Sequence, residues 1–137
     1  MASTGENLRT LTLADTTVTG YVSTRMYQNT VPQGATLPYI WYMRRGVAGN
    51  DVIGEVESVP MHEYWDIECV SDSVDTAIDL ADAVRAALDG HSGEYESGGD
   101  TVQWIDVRDQ SDDYIVRNES ADEVLSVASL DVEVVNP

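Results

Sequence analysis

Two histidines, one cysteine and a run of aspartates are the residues of this chain whose types could do chemistry. His62 precedes Glu63, and a His-Glu pair with a second histidine one helical turn on is the zinc arrangement of metalloproteases, the glutamate serving as base. No histidine follows at that spacing, and His91 stands alone after a helix stop. Cys69 would need a histidine base to act as a nucleophile. It alternates instead with Trp65 and Ile67, which is the pattern of a small buried hydrophobe. The stretch Asp106-Val107-Arg108-Asp109-Gln110-Ser111-Asp112-Asp113 offers carboxylates to a cation. A calcium loop also needs alternating oxygen ligands, a glycine at its sharp turn and a closing bidentate glutamate. The glycine is missing and the spacing is wrong, so the run reads as a solvated acidic turn. A phosphate-binding G-x-x-x-x-G-K-[ST] loop is impossible without lysine, and neither G-x-S-x-G nor G-x-G-x-x-G occurs. Asn118-Glu119-Ser120 fits a glycosylation sequon, a match that is frequent by chance. The residues therefore predict no catalytic set, no metal site and no cofactor; the chain is not expected to be an enzyme.

The charge is more informative. The 137 residues carry 25 acids and 7 basic residues, a net charge of -18. Every basic residue is arginine, and fifteen of the acids are aspartate. A chain this acidic repels phosphate, which argues against nucleic-acid binding and against anionic membranes. Two readings compete. In molar salt the screening length falls to about 3 Å, so a dense acidic surface no longer repels itself. Alternatively, an acidic protein of an ordinary cell meets a basic partner. The absence of lysine favours the first, because a partner-driven patch gives no reason to clear lysine from the whole surface. The charge is also uneven: residues 1–50 sum to +2 and residues 51–137 to -20. If acidity follows exposure to water, the first 50 residues are either covered by something or simply supply core and threonine-rich loops.

The elements that would position these residues fit one domain over 1–137. No apolar run reaches the roughly 18 residues of a membrane span, and Met1 to Gly5 shows no leader pattern. Residues 5–22 predict one or two short helices, with Asp15 or Thr16 as a cap. Arg25 to Gln28 predicts a strand and Val31-Pro32-Gln33-Gly34 a turn. Gly46 to Gly54 predicts a loop or hairpin end, and Glu55 to Val59 the beginning of the return strand. Tyr64 to Val70 alternates with Trp65, Ile67 and Cys69 inward. The clearest helix runs from Val74 to Asp89, capped by Asp72 or Ser73 and stopped by Gly90. Its apolar stripe is Val74, Ala77, Ile78, Ala81, Val84 and Leu88. After a Gly/Ser loop come Val102 to Val107, with Val102, Trp104 and Asp106 on one face, an acidic turn at 109–113, and a short strand at 114–116. A second acidic turn at 118–122 leads to a last strand from Leu125 to Val135. Its Ala128, Leu130, Val132 and Val134 share a face. The predicted class is α+β: an antiparallel sheet with one long helix, and short N-terminal helices, packed on it.

Leu37 to Arg45 (LPYIWYMRR) is the most strand-like segment, and both of its faces are apolar. Leu37, Tyr39, Trp41 and Met43 lie on one side, Ile40 and Tyr42 on the other. Such a strand is covered twice, the second cover being the chain's own helix or a neighbouring subunit. Tyr39, Trp41, Met43, Arg44, Arg45, Val47, Val52 and Ile53 are accordingly the candidate oligomer or partner interface. The arginines would meet a neighbour's acids, and the uncharged loop 46–54 would reach outward.

Arg25-Met26-Tyr27, then Val31-Pro32-Gln33-Gly34-Ala35-Thr36-Leu37-Pro38-Tyr39-Ile40, then Trp65-Asp66-Ile67-Glu68-Cys69 and Ala77 to Gly90 (AIDLADAVRAALDG) together resemble the tail terminators, or tail-completion proteins, of siphovirus type. The likeness covers about half of the chain, in order. It departs at the acidic segment 106–123 and the weak N-terminal helix. The resemblance implies a structural virion protein of the tail or neck, assembled in the host cytoplasm. It implies a ring, typically a hexamer, capping the head-proximal end of the tail tube. The partners implied are further copies of the chain, the tail tube protein and the head–tail connector protein. Viral DNA would pass through without sequence-specific binding, and no membrane is involved. With the missing lysines, the resemblance extends to a virus of a halophilic archaeon. The alternative is a small cytosolic α+β ligand-binding or regulatory module.

Overall fold

A computed structural model describes residues 3–49, 61–116 and 124–136. The elements are α1 (Thr4–Leu13), α2 (Thr16–Val22), β1 (Met26–Gln28), β2 (Tyr39–Gly49), β3 (Met61–Ser71), α3 (Val74–Leu88), β4 (Gly93–Glu94), β5 (Thr101–Val102), β6 (Trp104–Val116) and β7 (Val124–Asn136). Each α-helix begins where a side chain can hold its first unpaired amides. Ser3 and Glu6 form a reciprocal capping box on α1. The Asp15 carboxylate accepts from Thr17 N and Val18 N to start α2, and the Ser73 hydroxyl accepts from Thr76 N to start α3. Gly90, at φ +79°, turns the chain after α3 in a conformation that a Cβ would strain.

The strands form one mixed sheet in the order β1-β2-β3-β7-β6, beside a small β4-β5 hairpin. β2, β3, β7 and β6 pair antiparallel as expected. β1 is the exception, because the segment after it returns the chain to run parallel with β2. The three helices cover one face. Leu8, Val18 and Val22 from α1 and α2, and Ala77, Leu80, Ala81, Val84 and Leu88 from α3, close over Ile40, Tyr42, Trp65, Ile67, Cys69, Ile105, Val107 and the Ala128–Val134 set of β7. Two arginines bind the helices to β1 through main-chain carbonyls. Arg9 donates to Met26 O and Thr24 O, and Arg25 to Pro38 O and Tyr21 O. Gly5 comes so close to Gln28 that a Cβ there would lie 2.5 Å from its Oε1, and Gly5 O accepts the buried Tyr42 hydroxyl at 2.9 Å.

The structure corrects five expectations. The buried stripe of α3 is turned: Leu80 is fully buried while Val74 is 58% exposed. A single sheet beneath α3 would have selected the predicted stripe, but α3 also packs against α1 and α2, which draws Leu80 inward. Residues 46–49 are strand, not loop, because β3 is long enough to template β2 as far as Gly49 opposite Met61. The acidic residues 109–113 are strand, not turn. They continue β6 after a bulge between Val107 and Asp109, each paired to β7. An edge strand keeps one side in water, so aspartates there cost little and discourage wrong pairing. For the same reason residues 114–116 are the end of β6 rather than a separate strand. Val102 is buried while Trp104 is 48% exposed, because they belong to different sheets. The expected return strand at 55–59, the sequon and the turn at 118–122 fall outside the described residues.

Candidate interface on the open face of the sheet

The face opposite the helices divides into two zones. At the Tyr39 end the chain covers itself. Tyr39, Val70, Leu125 and Val127 are buried beneath Tyr27, Val31, Ala35, Leu37 and Trp41. The rings of Tyr27 and Tyr39 lie 6.1 Å apart, and Trp41 Nε1 donates to Asn29 O at 2.7 Å. Toward the other end no helix covers the sheet among the described residues, and acids stand in rows across the strands. Asp66, Asp131 and Asp109 are paired in one row; Tyr64, Glu133 and Asp106 form another. Like charges directly opposite one another oppose sheet pairing, and arginines offset that here. Arg45 reaches Asp66 at 3.1 Å and Asp131 at 2.8 Å. Arg108 lies 5.6 Å over the Tyr64 ring and 4.0 Å from Glu133, while His62 Nδ1 donates to Glu133 Oε1 at 2.6 Å. Glu68 is held above the usual carboxylate range, first by burial and then by the charges of Asp66 and Asp113.

The eight candidate residues do not converge on one surface. Tyr39, Trp41, Met43 and Arg45 belong to the open face. Arg44 turns to the helix side and pairs with Glu63 at 3.2 Å. Neighbouring strand residues alternate, so Arg44 and Arg45 face opposite sides; the register shift between Arg44 and Gly46 then places Val47 opposite Glu63, on the helix side. Val47 is 44% exposed; Val52 and Ile53 lie outside the described residues. Both arginines already have carboxylate partners within their own chain, so a neighbour's acids would be additional ones. The local alternation Asp66/Glu68 and Asp131/Glu133 signalled the acidic face in advance, but no sequence signal marked the bulge after Arg44 that turns Val47 to the helix side.

On the helix side, Arg44 and Glu63 line a cleft of about 490 Å³ with Ser3, Thr4, Gly5, Gln28, Asn29 and Trp65. Glu63 is 6% exposed and accepts from Thr4 Oγ1 at 2.5 Å and from Asn136 Nδ2. Trp65 Nε1 and the Tyr95 hydroxyl are buried without a hydrogen-bond partner among the described residues. Burial, and then the charges of Glu63 and Asp100, push the Tyr95 phenol well up.

The candidate chemical residues stay apart. Cys69 is fully buried on the helix face and its thiol is pushed far up by burial, which makes it inert. His62 lies on the opposite face of the same strand, roughly 23 Å along it at the usual rise per residue. His91 Nε2 sits 2.9 Å from Glu94 O, in the loop after α3. Among the described residues no group of acids, histidines and cysteine converges on a metal position, and no helix is long and apolar enough to cross a membrane.

The family model described as tail completion protein gp17 matches residues 6–135. A chain of the virion of a native gene transfer agent particle has a similar fold, with a TM-score of 0.66 over 96% of this chain and 89% of that one, at 21% identity. No match is found among curated proteins. The family match runs over nearly the full length: the chain belongs to the tail completion protein gp17 family and is a structural protein of the virion tail.

Proposed function

We propose that this tail protein assembles as a ring, a hexamer, that caps the head-proximal end of the tail tube and joins it to the head connector. The observation that carries the reading is the one-sided sheet. Three helices seal one face, while the other presents half-buried Trp41, Met43 and Tyr64 among rows of carboxylates. A ring gives such a face a place, turned toward passing DNA. An acidic wall lets a polyanion slide without sticking. Tyr39, Trp41, Met43, Arg44, Arg45 and Val47, with Val52 and Ile53, are proposed to lie at or near contacts with other copies, the tube protein or the connector protein. A salt-loving host, a haloarchaeon, accounts for the arginine-only basic set and the charge of -18.

The test is a mass measurement of purified protein in molar and in dilute salt. A ring-sized species in molar salt that loosens on dilution supports both the ring and the salt-loving origin. A ring indifferent to salt supports the ring and removes the origin. Monomer or dimer under all conditions refutes the ring. The alternative, a small cytosolic ligand-binding module, is favoured by one feature: the polar cleft holding Glu63 and the Trp65 indole N–H, which has no partner among the described residues. A monomer that binds a small polar molecule there would establish it.

A further inference from the structure

The two edges of the sheet are each blocked over half their length, and the free halves are at opposite ends. On one edge, β1 pairs only with Ile40–Tyr42 of β2, extended by Asn29 N donating to Tyr42 O. The rest of β2, from Met43 to Gly49, has no strand on that side among the described residues. On the other edge, Ile105 exchanges main-chain hydrogen bonds with Gly90 and His91, and the Asp89 carboxylate accepts from Val107 N. Beyond the bulge, β6 from Asp109 onward has no strand on its outer side among the described residues. Two of its amides, Gln110 N and Tyr114 N, donate to the carboxylates of the preceding Asp109 and Asp113.

We propose that copies of the chain join head to tail, the free half of β2 in one copy pairing antiparallel with the free half of β6 in the next, so that the sheets close into a continuous barrel. This rests on the ring reading above and names the contact that makes the ring. The geometry supports it through the slide required. Gly46, Tyr64, Glu133 and Asp106 share one row, whereas Asp112 lies in the row of Ile40, Cys69 and Ala128. Bringing Asp112 of a neighbour beside Val47 takes a slide of about six residues, or roughly 20 Å. Four strands per copy are about 19 Å wide. That ratio corresponds to a strand tilt of about 45°, at the upper end of the range found in closed barrels. An even slide also keeps helix-side residues on the helix side, where an odd one would reverse every side chain.

The hand of the closure decides which face lines the bore. β3 and β6 run parallel and are joined through α3, and such crossovers are right-handed. Seen from the helix side with β2 running upward, β6 is then at the left with its free half low, and β2 at the right with its free half high. Strands of right-handed twist tilt in one sense around a barrel, and that sense matches these half-edges only with the helices outside. The acidic face therefore turns inward. Charge selects the same pairing. The free part of β6 carries Asp109, Asp112 and Asp113, and that of β2 carries Arg44 and Arg45 and no acid. Like edges repel, while unlike edges attract. Such a heterologous contact closes into a ring when its rotation permits.

The experiment places cysteines across the contact. Val47→Cys with Asp112→Cys tests the six-residue slide, and Val47→Cys with Gln110→Cys tests the four-residue slide at the low end of barrel tilts. Mild oxidation of the assembled protein should give a disulfide ladder ending at the ring number in one of the two double variants, and no more than dimers in the single variants. Buried Cys69 stays outside the reaction. Hydrogen exchange on the unmodified chain supplies an independent readout: amides of residues 44–48 and 110–114 should become protected on assembly. A ring of correct mass with neither ladder nor protection overturns the edge contact and leaves the ring reading intact. A chain that never assembles overturns both.

Discussion

Replacing Arg45 by glutamine should expose what the acidic face costs the fold. Its guanidinium bridges Asp66 and Asp131, which stand opposite each other on β3 and β7, and Asp131 in turn faces Asp109 on β6. The side chain is 46% exposed and its partners are 37% and 29% exposed, so solvent weakens each pair. Partly exposed pairs contribute about 0.2–1 kcal/mol each, and each like-charge pair left opposed costs about as much again. The variant should lose about 1–2 kcal/mol in dilute buffer, a fall of roughly 3–6 °C in Tm for a chain of this size. In molar salt the screening length drops to about 3 Å, and the loss should shrink below about 0.5 kcal/mol. The assay is thermal or urea unfolding of both proteins at fixed concentration in the two salts. Arg45→Lys should recover only part of the loss, because an ammonium cannot fork between two carboxylates as a guanidinium does. An equal loss in both salts would show that the stem's packing matters rather than its charge. No loss in dilute buffer would refute the bridge.

Glu68 titrates above the ordinary glutamate range in the fold, so the folded state holds its proton to higher pH than the unfolded chain does. Its contribution is then full below the ordinary value near 4.5 and declines as pH rises through the raised one. Glu68→Gln should raise Tm at neutral pH, with the gain vanishing on acidification below that range; a gain independent of pH would contradict the electrostatic cause. Glu63 ties the start of α1 to β2 and the end of β7 through Thr4, Arg44 and Asn136. Glu63→Gln turns an acceptor into a donor among donors and should cost about 1–3 kcal/mol. Faster amide exchange in α1 should accompany it, and unchanged exchange there would mean that the carboxylate does not anchor the helix.

Much of the fold was legible because local rules governed it. Ser73, Gly90 and the apolar spacing between them fixed α3, since caps and left-handed stops act within a few residues. Period-two alternation gave the inward set Trp65, Ile67 and Cys69 and the Ala128–Val134 face of β7, because strand side chains alternate whatever their neighbours. The acids opposite those sets announced a wet face. Segments 25–45 and 64–90 together carried the family resemblance, which the match over residues 6–135 bears out.

What local rules do not govern was decided only by tertiary structure. Leu80 turns inward because α1 and α2, as well as the sheet, pack on α3. Asp109 to Asp113 become strand because β7 offers a ladder and an edge offers water, neither of which is a property of those five residues. A bulge between Arg44 and Gly46 breaks the alternation after Arg45 and turns Val47 to the helix side, opposite Glu63. The sequence by itself determined which residues avoid water and where helices start and stop, because those are short-range preferences. Which strand lies beside which, and so which charges meet and which edges stay open, depended on pairings between residues as distant in the chain as Met61 and Asn136, and only the folded sheet sets those.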